Sequence, residues 1–179
     1  MSLRLFAAID IPDEIIERIV PLQRGVAGAK WRPPEALHLT LRFFGEIDER
    51  AAEDLDHELG EVRSAAFEVA LKGAGWFGGE QPSALWAGVE ENAALQRLAA
   101  GCERAARKTG LPPEPRGFVP HVTLAYCRGT GADDAVKFAQ RLALFSAEPF
   151  LVDRFFMYSS WAGKRVSTYV PEAEYPLLG

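Results

Sequence analysis

The chain is short of the residues on which several common chemistries depend. It has only two cysteines, Cys102 and Cys127, and their spacing fits neither a disulfide framework nor a zinc or redox motif. No apolar run is long enough to cross a bilayer. The first ten residues reach Asp10 too early for a secretory signal. These absences favour a protein of the reducing cytoplasm that works away from membranes.

Positive charge is also scarce, which limits the kind of partner to expect. Twenty Lys and Arg residues stand against 25 Asp and Glu, giving a net charge of −5 and a pI of about 5.3. Proteins that hold long nucleic acid non-specifically usually carry a basic face. The composition therefore favours a short nucleic-acid end or a small cyclic phosphate over a long duplex, and no obligate protein partner is evident.

What the chain does have is a tetrapeptide that occurs twice. Residues 38–41 read H-L-T-L within an alternating segment, and residues 121–124 read H-V-T-L within another. In a strand, side chains two residues apart face the same side, so His38 shares a face with Thr40, and His121 with Thr123. Two of the three histidines are used in one pattern, which makes coincidence a poor explanation.

Two imidazoles and two hydroxyls suit the cleavage of a phosphodiester. Hydroxyls donate hydrogen bonds to phosphate oxygens, and two histidines serve as proton donor and proton acceptor near neutral pH. Neither motif contains a carboxylate, so we expect no metal and no other cofactor. The chain also lacks a G-x-S-x-G nucleophile motif. The third histidine, His57, lies between charged neighbours and is expected at the surface of a helix.

Strand-like and helix-like segments are interleaved, and several strands adjoin without a helix between them. This order favours an antiparallel α+β fold over a doubly wound parallel sheet. Asp48, Asn92 and Asp133 are candidate N-caps of three helices. Because the order around the two motifs is similar, we expect two pseudo-symmetric lobes with helices outside and a central groove between the motif strands. Residues 1–179 would form this single bilobal domain.

Five segments of the chain, which together extend over nearly its whole length, are shared with a known family. They are R-L-F-A-A-I-D, K-W-R-P-P-E-A-L-H-L-T-L-R-F-F-G-E, G-A-G-W-F-G-G-E-Q-P-S-A-L-W-A-G-V, G-F-V-P-H-V-T-L-A and the closing F-M-Y-S-S…Y. With the two H-x-T-L motifs, they make the sequence resemble the two-histidine (2H) phosphoesterases, and within them the RNA 2′,3′-cyclic phosphodiesterases, also called 2′-5′ RNA ligases.

The resemblance implies roles that the motifs alone do not distinguish. His38 would donate a proton to the leaving oxygen, His121 would activate water, and Thr40 and Thr123 would hold the phosphate. The reaction implied is the opening of an RNA 2′,3′-cyclic phosphate to a 2′-phosphate, with reversible 2′-5′ ligation at the same site.

Three further residues are candidates for substrate binding. Arg42 has the parity of His38 and could meet phosphate charge, although a solvated strand end is equally consistent with its position. Phe43 could stack on a base, but it shares parity with Leu39, which favours core packing.

The family commonly has Arg where this chain has Tyr126. Strand parity places Tyr126 on the face of the strand opposite to the face that carries His121. The contact that this Arg would make is then either lost or supplied by Arg128.

Two other functions remain open from the sequence. One keeps the chemistry but changes the substrate to a small cyclic phosphate, such as a nucleotide or an ADP-ribose derivative. The other is an RNA-end binding protein without catalysis, for which two matched histidines would have no evident use.

Overall fold

The computed structural model describes residues 2–178, which form ten β-strands and four α-helices. In chain order these are β1 (Ser2–Asp10), α1 (Asp13–Ile19), β2 (Ala29–Trp31), β3 (His38–Asp48), α2 (Glu49–Gly60), β4 (Phe67–Val69), β5 (Leu71–Phe77), β6 (Ala84–Val89), α3 (Ala93–Lys108), β7 (His121–Cys127), α4 (Ala132–Arg141), β8 (Phe150–Val152), β9 (Arg154–Trp161) and β10 (Thr168–Pro176).

Eight of the strands form one antiparallel sheet. Seven of them run in the order β10-β9-β1-β3-β7-β6-β5, and β2 pairs with β7 beside them. The short strands β4 and β8 form a separate antiparallel pair. The prediction of an antiparallel α+β fold is therefore confirmed. The two strands that begin with the repeated motif, β3 and β7, are neighbours in the middle of the sheet.

The core lies between one face of the sheet and the helices. Leu55 of α2 and Leu95 of α3 are fully buried there against strand residues such as Leu39 and Leu85. Burying a leucine side chain contributes about 2 kcal/mol, so this layer holds the helices on that face. In the described part of the chain, no helix combines the length and hydrophobicity needed to cross a membrane.

Two of the three predicted helix caps are confirmed. The Asp48 carboxylate accepts a hydrogen bond from the Ala51 amide at 2.8 Å, and Asn92 does the same for Leu95 at 2.9 Å. The third prediction is wrong, because Gly131 occupies the N-cap position of α4 and Asp133 lies inside the first turn. A carboxylate in the first turn still interacts favourably with the positive end of the helix dipole.

Candidate active site

The two motif strands meet at one pair of residues. Leu39 of β3 lies opposite Val122 of β7, and within residues 2–178 this is the single paired position between these strands. In an antiparallel pair, one step to either side then brings His38 opposite Thr123 and Thr40 opposite His121. Each histidine therefore lies beside the threonine of the other motif.

The four motif side chains lie on the face of the sheet away from the helices. His38, Thr40, His121 and Thr123 are each half-buried, whereas the intervening Leu39 is fully buried in the core. Among the described residues, neither threonine hydroxyl has a hydrogen-bond partner. Both hydroxyls are thus available to a ligand on that face.

Both motif strands carry a β-bulge at the same place in the motif. On β3 the register passes from Thr40 to Arg42, which leaves Leu41 as the extra residue. On β7 it passes from Thr123 to Ala125, which leaves Leu124 as the extra residue. A bulge reverses the faces of the residues that follow it. Unbroken alternation beyond Leu41 and Leu124 therefore predicted the wrong face of the sheet for Arg42, Phe43 and Tyr126.

Arg42 is the first residue affected, and it does not share a face with His38. Its side chain is 9% exposed and points toward α3, where Nε lies 2.5 Å from the Glu103 carboxylate. Another guanidinium nitrogen donates to the Pro112 carbonyl at 2.8 Å. Arg42 forms a structural ion pair with Glu103 in place of the expected contact with phosphate, so we no longer count it among the candidate site residues.

Phe43 and Tyr126 are affected in the opposite sense. Phe43 is 53% exposed rather than packed in the core, and its ring lies 5.6 Å from that of Phe6 on the His38 face. Tyr126 is 49% exposed and follows the bulge at Leu124 as Phe43 follows the bulge at Leu41. It therefore lies on the same face as His121, and not on the other face as parity implied. Each histidine is followed, five residues later, by an exposed aromatic ring.

Arg128 is exposed at the end of β7, where its backbone amide donates to the Gly28 carbonyl. It lies seven residues beyond His121, about 20 Å along an extended strand. Among residues 2–178, no hydrogen bond joins the Arg128 side chain to any of the four motif side chains.

His38 is embedded among aromatic rings. Its imidazole stacks on Phe6 with ring centres 4.9 Å apart, and the edge of Tyr169 meets it at 5.0 Å. Burial, helped by the charges of Arg32 and His121, lowers the pKa of His38 to about 4. Without a ligand this imidazole is therefore neutral at physiological pH.

Two tyrosines near His38 were missed by the sequence reasoning. Tyr158 of β9 stacks on Phe6 at 5.4 Å and donates its hydroxyl to Asp10, the residue opposite His38 on β1. Tyr169 of β10 contacts both Phe6 and His38. Both come from the end of the chain, far from either motif, and no local pattern indicates that they reach the site.

His121 is held by the backbone and by two aromatic rings. Its Nδ1 lies 2.7 Å from the Val119 carbonyl, which selects the tautomer with hydrogen on Nδ1 and leaves Nε2 with a lone pair. Phe77 meets the imidazole edge-on at 4.8 Å, and Trp86 lies 6.1 Å away. Burial lowers the pKa of His121, although the bond to Val119 opposes this effect.

Trp86 in turn rests on a glycine. A Cβ added at Gly75 would lie 2.5 Å from two carbons of the Trp86 indole, closer than any real contact. The indole therefore needs glycine at position 75 of the neighbouring strand in order to occupy its place beside His121.

Candidate metal ligands do not cluster in the described part of the chain. No group of three or more His, Cys, Asp or Glu side chains could hold an ion among residues 2–178. His57 is exposed on α2, as predicted, and takes no part in the site.

Comparisons with known proteins agree with this architecture. The chain is 35% identical to the RNA 2′,3′-cyclic phosphodiesterase of Archaeoglobus fulgidus over 126 residues, covering 68% of this chain and 71% of the relative. It is 33% identical to the protein of the same name from Thermotoga maritima over 165 residues, covering 88% and 87%.

Solved structures show the same fold. A crystal structure described as a phosphoesterase superposes with a TM-score of 0.83 at 26% identity and covers all of both chains. The crystal structure of Escherichia coli LigT complexed with 3′-AMP superposes with a TM-score of 0.81 at 27% identity, covering 99% of each chain.

The family model of the 2′-5′ RNA ligase superfamily matches residues 11–163, a span that contains both motifs and both bulges. The chain is thus a homologue of archaeal and bacterial RNA 2′,3′-cyclic phosphodiesterases, and it belongs to the 2′-5′ RNA ligase superfamily.

Proposed function

We propose that this protein hydrolyses RNA 2′,3′-cyclic phosphate ends to 2′-phosphates, with His38 and His121 as an acid–base pair. The observation that carries the proposal is the array of two histidines and two threonines around the Leu39–Val122 pair. The relatives from Archaeoglobus fulgidus and Thermotoga maritima bear the name of this reaction. The same face of the sheet presents aromatic rings on which a nucleobase can stack.

His121 is the proposed general base. Because Nδ1 donates to the Val119 carbonyl, Nε2 faces the ligand as an acceptor. The lowered pKa keeps the imidazole neutral, which is the state that takes a proton from water. The resulting imidazolium is then stabilised by its bond to Val119.

His38 is the proposed general acid. Its low pKa reflects burial beside positive charge, and the negative charge of a bound phosphodiester favours the protonated imidazole. Substrate binding therefore raises the pKa of His38 and loads it with the proton that it delivers. The acid is thus formed most readily when the anion is present.

The reaction is an in-line displacement at phosphorus. A water oxygen bonds to phosphorus while its proton passes to His121, and the bond from phosphorus to the 3′ oxygen breaks as His38 protonates that oxygen. Thr40 and Thr123 donate hydrogen bonds to the non-bridging oxygens, whose negative charge grows in the transition state. The products are a 2′-phosphate and a free 3′-hydroxyl.

The same site would also join RNA ends. If the 5′-hydroxyl of a second RNA takes the place of water, the identical displacement forms a 2′-5′ phosphodiester. Hydrolysis dominates where water is at its usual concentration and 5′-hydroxyl ends are dilute.

The proposed architecture is one bilobal domain of the reducing cytoplasm, with β3 and β7 lining a central groove. The strands flanking β3 would form one lobe and those flanking β7 the other. Support comes from the matching bulges in the two motifs and from the single residue pair that joins the strands. Phe43 would stack on the base nearest the cyclic phosphate, because it is exposed on the same face as His38.

The test is the turnover of a short RNA ending in a 2′,3′-cyclic phosphate, in EDTA, with the 2′- and 3′-phosphate products resolved by chromatography. We expect a 2′-phosphate only, and faster cleavage of the oligonucleotide than of a cyclic mononucleotide at equal concentration. Preference for the mononucleotide would favour the small cyclic phosphate as substrate. Tight binding without turnover at any pH would make the protein an RNA-end binder instead.

A further inference from the structure

Arg32 is a buried cation that has no carboxylate beside it. Its side chain is 8% exposed, and among residues 2–178 no Asp or Glu oxygen lies within 4.0 Å of its guanidinium. The other buried arginine, Arg42, has Glu103 as its counter-ion. Burying an unpaired charge is costly, so the position of Arg32 favours an anion that arrives with the ligand.

The backbone around Arg32 is fixed against the second motif strand. Its amide donates to the Leu124 carbonyl at 2.8 Å, directly after Thr123. The side-chain amide of Gln23 donates to the carbonyls of both Arg32 and Leu124, at 2.8 and 3.1 Å. These bonds fix the Arg32 backbone, and hence the base of its side chain, next to the second motif.

The guanidinium lies between two tyrosine rings. Its Nη2 donates to the Tyr169 hydroxyl at 2.6 Å, and Cζ lies 5.1 Å from the centre of the Tyr126 ring. A guanidinium has five N–H donors, and Tyr169 is its one side-chain acceptor among the described residues. Because Tyr169 also touches His38, the remaining N–H groups of the Arg32 guanidinium lie near the face of the sheet that carries the motif histidines and threonines.

We propose that Arg32 binds the phosphate anion of the substrate, and that Tyr126 and Tyr169 hold its guanidinium in position. This inference rests on the proposed function, since it assigns a residue to the same phosphate. A planar guanidinium matches two phosphate oxygens at once, and its charge offsets the negative charge that develops at phosphorus. Arg32 thus performs the task that the sequence left open for Arg128.

The electrostatics of the site agree with this placement. The positive charge of Arg32 contributes to the lowered pKa of His38, so the two groups are close enough to interact. A phosphate between them would satisfy the guanidinium and favour protonation of the imidazole. Tyr126 and Tyr169 supply cation–π contacts that keep the cation in place when no anion is bound.

The first measurement is the dissociation constant of inorganic phosphate, by isothermal titration calorimetry, in the wild type and in Arg32→Met. We expect Arg32→Met to weaken binding about 10- to 100-fold, as the loss of charge-assisted hydrogen bonds predicts. Arg50→Met is the matched control, because Arg50 is an exposed arginine on α2. Equal constants for the Arg32 and Arg50 variants, or weakening by Arg128→Met in place of Arg32→Met, would overturn the proposal.

A second set of variants separates anion binding from a structural role. Arg32→Lys keeps the charge without the planar fork, so it should recover part of the phosphate affinity and part of kcat/KM. Tyr126→Ala should weaken phosphate binding, whereas Tyr126→Phe, which keeps the ring, should not. If Arg32→Lys and Arg32→Met both stayed folded by circular dichroism and both bound phosphate as tightly as the wild type, the charge would have no role and the proposal would fall.

The pKa of His38, measured by NMR, provides a readout that needs no turnover. We expect it to rise in Arg32→Met, because one cause of its depression is removed; no change would contradict the placement of Arg32. The two proposals also fail separately. A wild type that binds phosphate through Arg32 without cleaving cyclic RNA would refute the function, and cleavage unaffected by Arg32→Met would refute the inference.

Discussion

Leu39 of β3 and Val122 of β7 lie directly opposite each other, and this pair fixes where all four motif side chains stand. Because both residues are fully buried, their neighbours on either side point to the other face. His38 then lies beside Thr123, and His121 beside Thr40. The catalytic proposal depends on this register, since a slip by one residue would turn the histidines into the core.

The dependence of the rate on pH is the first prediction. His38 must carry a proton and His121 must not, while burial lowers the pKa of both, in the case of His38 to about 4. The profile of kcat/KM, which reports the free enzyme, should therefore be bell-shaped with its maximum between about pH 4 and 6.5. The kcat profile should lie at higher pH, because bound phosphate raises the pKa of His38. A kcat/KM maximum above pH 7.5 would contradict this account.

Stability should depend on pH for the same reason. The pKa of His38 is lower in the folded than in the unfolded state, so between pH 4 and 6.5 the unfolded state binds more protons. The free energy of unfolding therefore has its full value with respect to His38 above pH 6.5. It falls by on the order of 3 kcal/mol as the pH is lowered toward 4. Urea unfolding of His38→Gln should show a smaller loss over this range.

His57→Gln is the control for that experiment, because His57 is exposed on a helix surface. Its unfolding free energy should follow the wild type at every pH. If His38→Gln and the wild type lost equal stability on acidification, the burial of a neutral His38 would not be responsible.

Arg42 should matter for stability rather than for catalysis. Arg42→Met removes the partner of Glu103 and leaves the Pro112 carbonyl without its donor. We expect a loss of about 2 kcal/mol and a Tm lower by roughly 5 °C, with kcat/KM close to wild type at 25 °C. Thermal unfolding and steady-state kinetics measure the two effects. A large fall in kcat/KM with an unchanged Tm would return Arg42 to the site.

Gly75 should be sensitive to a single added methyl group. Gly75→Ala places Cβ 2.5 Å from the Trp86 indole, which must then shift against His121. Overpacking of this kind costs about 1–3 kcal/mol, and a misplaced base lowers the rate. Kinetics and tryptophan fluorescence should both change. Gly60→Ala, whose Cβ meets nothing within 4 Å at the end of α2, should leave both unaltered.

The sequence predicted the parts of the site that depend on local order. Strict alternation around residues 38–41 and 121–124 was enough to place each histidine on the face of its threonine. The same alternation failed one residue later, at Arg42 and Tyr126, because both strands carry a bulge at the motif leucine. Neither bulge has a glycine or proline to mark it, so it follows from pairing with β1 and β6 rather than from local sequence.

The remaining site residues were beyond local reasoning because they come from distant segments. Tyr158 and Tyr169 reach His38 from the last two strands, and their place depends on the strand order of the whole sheet. Arg32 stands close to the first motif in sequence, yet it packs against the second through its bond to Leu124. Its burial without a counter-ion is a property of the folded chain alone.

The central claim is that His38 acts as the acid and His121 as the base, and a change of leaving group tests it most directly. The measurement is the cleavage rate of an RNA 2′,3′-cyclic phosphate whose 3′ oxygen is replaced by sulfur, compared with the oxygen substrate. A thiolate leaves without protonation at neutral pH far more readily than an alkoxide. With oxygen, His38→Ala and His121→Ala should each lose about 10²- to 10⁴-fold, and His57→Ala should lose nothing.

With sulfur, His38→Ala should recover most of the wild-type rate, because the acid is no longer needed, whereas His121→Ala should remain slow. If the sulfur substrate restored the rate of His121→Ala alone, His121 would be the acid and His38 the base. Equal rates for the wild type and both variants on the oxygen substrate would contradict the account.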